Sequence, residues 1–87
     1  MPHFYFDSRE GPTFVADEIG LEYPDLDAAE RAACEAAAEI GRDRLPTSGT
    51  RAVTVEVRNE YSQRVLTVTV SMHLERVIPA PEPPVSL

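Results

Sequence analysis

Hydrophobic and polar positions alternate along both ends of this chain and recur at helical spacing in its middle. In HFYFDSR, period two sends Phe4 and Phe6 to one face and His3, Tyr5 and Asp7 to the other. Gly11-Pro12 marks a turn. TFVADE then reads as a second short strand, closing a hairpin with the first. RAVTVEVRN points Val53, Val55 and Val57 one way and Thr54, Glu56 and Arg58 the other. NEYSQ connects it to RVLTVTVSMHLERVI, which places Leu66, Val68, Val70, Met72 and Leu74 on one face. Thr67, Thr69, Ser71, His73 and Glu75 take the opposite face. Such alternation fits an antiparallel sheet with one face covered. The last strand outruns its hairpin mate and leaves an unpaired edge.

The middle segment, YPDLDAAERAACEAAAEIGRDRLP, changes period. EIGLEYPD before the helix reads as a connector, with Pro24 biasing Tyr23 away from helical angles. Asp25 is the preferred N-cap and Leu26 the first helical residue, with Asp27 and Glu30 as the rival start. Leu26, Ala29, Ala33, Ala36, Ala37 and Ile40 share one face, opposite Asp27, Glu30, Arg31, Glu35 and Arg42. Asp27–Arg31 and Arg31–Glu35 have the spacing of helical ion pairs. Gly41 weakens the helix, and Pro46 stops it. An alanine stripe lets the helix lie close to its partner surface, so the bulky core residues must come from the strands. Leu26 and Ile40 are expected to hold the helix down.

The elements run ββαββ: an α+β fold in which a four-stranded, mainly antiparallel sheet carries one α-helix on one face. An all-antiparallel sheet then allows spatial order 2-1-3-4 or 1-2-4-3. Residues 1–78 form one domain. PAPEPPVSL reads as a proline-rich disordered tail over 79–87.

Composition narrows the function classes. The 87 residues hold eight arginines and no lysine against fifteen acidic residues, a net charge of −7. That sign disfavours nucleic acid and anionic membrane surfaces as partners. The sole cysteine, Cys34, excludes an intramolecular disulfide, and its acidic neighbour Glu30 suppresses thiolate chemistry. MPHFYFDSRE lacks a basic, apolar leader, and no run reaches the roughly 18 apolar residues of a membrane span, so the cytoplasm is the expected compartment.

Three blocks occur in order: MPHFYFDSREG, ADEIGLEYPDLDAAERAA and VEVRNEYSQRVLTVTV. Together they resemble a family of short uncharacterised bacterial proteins with the patterns M-P-x-[FY]-[FY]-F-D-x-x-[DE]-G, D-E-x-G-x-E-x-P-D-L-x-A-A and V-x-V-R-[DN]-E. The resemblance spans about residues 1 to 75 and implies no activity, the family being a domain of unknown function. Its members often carry an Asp-Gly type turn where this chain has Tyr61-Ser62-Gln63.

No nucleophile–base set, phosphate loop or zinc spacing is present, so no catalytic residue and no cofactor are assigned. The candidate interaction surface is the outward sheet face, with His3, Tyr5, Asp7, Arg58, Thr67, Thr69 and His73. The leading expectation is a small non-enzymatic interaction or regulatory module, homodimeric through a sheet edge or that open face. A second rests on acidity and on a hairpin followed by a D-L-x-x-A helix, which loosely resembles HicB-type antitoxins that partner a small basic toxin. A third is a small metal-binding domain using His3, Asp7 and His73, or Asp17, Glu18 and Glu22 around Gly20 as a cation loop.

Overall fold

A computed structural model describes residues 1–79. The chain builds β1 (His3–Glu10), β2 (Thr13–Val15), β3 (Leu21–Glu22), α1 (Leu26–Arg44), β4 (Ala52–Arg58) and β5 (Arg64–Ser71). One sheet results, ordered β2-β1-β4-β5, with β3 adding to the start of β1 and every neighbour antiparallel. Counting only the four expected strands, this is the order 2-1-3-4. The fold is α+β, with the single helix packed on one face of the sheet.

The registers explain the two faces. Phe6, Ser8 and Glu10 stand opposite Val57, Val55 and Val53, and these pair onward with Leu66, Val68 and Val70. That side meets the helix. Val55 and Val57 are almost wholly buried beneath Ala29, Ala33 and Ala37, and Val53 is buried further along β4. The helix row continues to Gly41, which is buried as well. A Cβ on Gly41 would come within 3.0 Å of Val70 Cγ1, so the glycine belongs to the close approach of helix and sheet.

Both helix ends are fixed. Asp25 Oδ1 accepts from the Ala28 N–H at 2.8 Å, making Asp25 the N-cap. At the other end Arg44 Nε donates to both carboxylate oxygens of Glu10, at 2.9 and 3.0 Å. Leu45 follows as the buried C-cap.

Five expectations need correction. Leu26 is 44% exposed and does not anchor the helix; Tyr23 fills that end of the core, its ring meeting Phe6 edge-on at 5.8 Å. The connector before the helix contains a fifth strand, β3, which pairs with His3 and Phe4. β2 stops at Val15, because the chain beyond it turns inward to bond Asp7. β5 stops at Ser71, which already faces Ala52, the first residue of β4; residues 72–79 have no partner strand and no regular structure. Among the described residues Arg31 makes neither helical ion pair; exposed charges gain little from such contacts in water. The expected tail over 79–87 lies, beyond Pro79, outside the described residues.

The β4–β5 connection is organised by Asn59. Its Oδ1 accepts from the Tyr61 and Gln63 N–H groups, and its Nδ2 donates to Gln63 Oε1. Ser62 sits at φ 60°, a left-handed angle that strains any residue with a Cβ.

Two substitutions probe this frame. Ala33→Leu should cost about 1–3 kcal/mol, because the added carbons have no room under a fully buried helix position. A thermal melt should read this as a drop of several degrees. Ser62→Gly should raise the midpoint of the same melt, by up to about 1 kcal/mol of stability, by releasing the left-handed strain.

Candidate functional site

The sheet face away from the helix carries the polar side chains. Its centre is Asp7, only 3% exposed although it stands on the outward side of β1. Arg58 on neighbouring β4 covers it, donating from Nε to Asp7 Oδ2 at 2.6 Å and from Nη2 to Asp7 Oδ1 at 3.1 Å. The same Nη2 donates to the Asp17 carbonyl at 3.0 Å, and the guanidinium lies 5.0 Å from the Tyr5 ring centre. One arginine therefore ties together β1, β4 and the loop before β3.

Asp17 completes the arrangement. Its N–H donates to Asp7 Oδ1 at 2.9 Å. Its Oδ1 accepts from the Ile19 and Gly20 N–H groups, and its Oδ2 accepts from the Phe6 N–H, all at 3.0 Å. The Phe6 contact falls between the stretch of β1 paired with β3 and the stretch paired with β2. A side-chain carboxylate thus stands where a neighbouring strand would supply a carbonyl. Gly20, at φ 70°, is buried against His3; a Cβ there would meet the His3 ring and the Phe4 carbonyl at 2.7 Å. His3 Nε2 lies 2.9 Å from the Ile19 carbonyl.

Charge balance sets the protonation states. The Arg58 hydrogen bonds hold the Asp7 carboxyl below its ordinary value of 3.8, against the opposing effect of burial. Burial pushes Asp17 up, but donation from Gly20, Phe6 and Ile19 and the charge of Arg58 outweigh it, so Asp17 also lies below 3.8. Arg58 is raised by its bond to Asp7. All three are charged at neutral pH: Asp7 and Arg58 satisfy each other, and the Asp17 carboxylate is satisfied by backbone N–H groups. Among the described residues no buried side-chain nitrogen or oxygen lacks a hydrogen-bond partner.

Further along the same face, Glu56 is buried between Arg9 at 3.6 Å and Arg64 at 3.3 Å. The Arg9 guanidinium also lies 4.6 Å from the Phe14 ring centre. Glu56 and Asp7 stand on the outward face, but long arginine stems fold over them. Thr54 and Thr69 share a hydroxyl hydrogen bond of 2.9 Å, while Thr67 stands across from Glu56 and is exposed.

The candidate residues therefore divide. Tyr5, Asp7 and Arg58 form one cluster, with His3 at its margin 5.1 Å from the Tyr5 ring. Thr67 and Thr69 lie on β5, an edge strand. His73 lies beyond the end of β5, exposed, with Glu75 at 3.9 Å, so its expected place on the sheet face is corrected. The metal arrangement of His3, Asp7 and His73 is not assembled: β1 and β5 are separated by β4. Among the described residues no three His, Cys, Asp or Glu side chains group as metal ligands. Asp17 is turned inward on backbone N–H groups instead of outward as part of a cation loop. Its role had a sequence signal, an aspartate three residues before a glycine, which is the spacing of a local side-chain-to-backbone bond. Arg9 and Arg64 had none, because their importance depends on which strands become neighbours.

The residues that lock the front of the sheet fall in the three sequence blocks MPHFYFDSREG, ADEIGLEYPDLDAAERAA and VEVRNEYSQRVLTVTV. A model of the DUF6894 family, a domain of unknown function, matches residues 3–71. The chain belongs to the DUF6894 family. No curated protein and no solved structure matches it significantly. In this DUF6894 chain the block residues Asp7, Asp17, Gly20, Arg58 and Asn59 bond to one another or to backbone. No helix is long and apolar enough to cross a membrane among the described residues.

Acid should expose this dependence. Carboxylates held below 3.8 in the folded state contribute stability that is complete above that value and is lost as pH falls through their native values. Urea unfolding followed from neutral pH to about pH 2 should show stability declining below about pH 4. Asp17→Asn should lower stability at neutral pH by about 1–3 kcal/mol and flatten that acid limb.

Proposed function

We propose that this DUF6894 chain is a non-enzymatic protein-interaction or regulatory module that receives a partner by strand addition along β5. The observation that carries the reading is the contrast between the two sheet edges. On one side β1 is covered by β2, by β3 and by the Asp17 carboxylate between them. On the other, β5 pairs with β4 alone among the described residues. Its stretch VLTVTVS holds no charge and no proline, the usual blocks to edge pairing. Strand addition uses backbone hydrogen bonds for affinity and alternate side chains for specificity. The open sheet face is the weaker candidate, because its arginines and carboxylates already pair with each other.

The groups with the most chemistry support the non-enzymatic part of the reading. Asp7, Asp17 and Arg58 are engaged in holding the backbone. A cytoplasmic setting accompanies this proposal. A second reading, favoured by the net charge of −7, makes the partner a small basic protein, as for an antitoxin of the HicB type.

Amide hydrogen exchange on complexes recovered from the native cell with tagged protein tests the proposal. Residues 65–71 should gain protection in the complex, and a basic partner of low mass would favour the second reading. Protection confined to the outer helix face, around Glu30 to Arg42, with 65–71 unchanged would overturn strand addition.

A further inference from the structure

We infer that the strand added to β5 is the β5 of a second copy of this chain, joined antiparallel across a two-fold axis into one continuous ten-stranded sheet. This rests on the reading of β5 as the binding strand and goes beyond it by naming the partner and the register.

Self-pairing has a parity requirement. In an antiparallel pair, residues facing each other lie on the same side of the sheet. Leu66, Val68 and Val70 are on the helix side of β5, and Thr67 and Thr69 are on the open side. When β5 meets its own copy, the two facing residue numbers must therefore sum to an even number. A sum of 136 sets Val68 against Val68, Leu66 against Val70 and Thr67 against Thr69. Apolar residues then meet apolar residues beneath the helix layer, and threonines meet threonines on the open side. The strand reads compatibly in both directions, which is what a two-fold interface demands.

Charge favours the same place. Two copies at −7 each repel over most of their surfaces. Residues 65–71 are the edge at which they approach without bringing carboxylates on that strand together. Burial points there too. The helix covers the centre of the sheet fully, yet Leu66, Val68 and Val70 are only half-buried beside it, and Met72 just past the strand is 45% exposed. A second copy at the usual strand spacing of about 4.8 Å would cover that flank. The opposite edge offers no equivalent, since β2 is three residues long and β3 two.

Introducing charge on the open side of β5 tests this. Thr67 and Thr69 are exposed, so Thr67→Lys with Thr69→Lys should leave the circular dichroism spectrum unchanged. Light scattering should find the wild type at twice 9.6 kDa and the double-lysine variant dissociating at about tenfold higher concentration or more. Mixing it with a Thr67→Glu, Thr69→Glu variant should restore a dimer, since each lysine then faces a glutamate. In the wild type, amide protection over 65–71 should rise with concentration while that of β2 does not, a readout that needs no variant. A wild type that stays monomeric up to its solubility limit would overturn self-pairing, while protection of 65–71 by another protein would still uphold strand addition. A dimer indifferent to the lysines, or one whose 65–71 amides ignore concentration, would also overturn it.

Discussion

The fold depends on how closely one helix can approach one sheet. A chain of 87 residues has little interior to work with, and here most of it lies between Val53, Val55 and Val57 and the row Ala29, Ala33, Ala37 and Gly41. Neither set suffices alone. Alanines bury little apolar area, so they gain by letting the valines shed all contact with water. The valines, in turn, need a smooth rod above them, since a larger helix side chain would lift the helix and open gaps along the whole row. The terminal devices serve this contact. The Asp25 cap sets where the helix begins, and the Arg44–Glu10 pair holds its end over the start of the β1–β2 turn. Tyr23 closes the aromatic end beside Phe4 and Phe6.

A one-helix sheet leaves two further problems, its uncovered face and its edges, and the chain solves them with charged side chains. On the face, arginines bridge carboxylates across β1, β4 and β5, so Asp7 and Glu56 are buried without a second layer of backbone. Such pairs contribute less to net stability than their geometry suggests, because each charge has been partly removed from water. Their stronger effect is on specificity. A one-residue slip of β4 against β1 would turn Arg58 inward and strand Asp7 without its partner. At the β1 edge, Asp17 supplies an acceptor for Phe6 where two short strands leave a gap. Among the described residues no strand pairs with the outer edge of β5, and that asymmetry is what turns one edge into a candidate for binding.

Much of this was legible from period alone. Alternation in HFYFDSR, RAVTVEVRN and RVLTVTV placed the strands and their inward residues, and the alanine spacing with Asp25 placed the helix start. The errors share a cause: each needed knowledge of a neighbour. Leu26 has the right helical phase, but it stays exposed while Tyr23 packs against Phe4 and Phe6 at that end of the core. Met72, His73 and Leu74 continue the alternation of β5, but β4 begins at Ala52, and the ladder ends with the Met72 N–H donating to the Arg51 carbonyl. The two residues of β3 are too few to show a period. For the candidate surface, Tyr5, Asp7 and Arg58 were correctly put on one face, whereas their mutual contact followed only once β1 and β4 were adjacent. His73 was lost with the strand end.

The placement of the block residues bears on where a shared function of DUF6894 chains would reside. In an active site, polar residues converge on a space that a ligand fills. Here Asp7, Asp17, Arg58 and Asn59 converge on each other and on main-chain N–H and carbonyl groups. Gly20 is required by the His3 ring and the Phe4 carbonyl. In this chain these residues latch the sheet, and the latch leaves other surfaces unused. One such surface is the outer edge of β5, which among the described residues pairs with β4 alone and whose alternation an antiparallel partner strand can match.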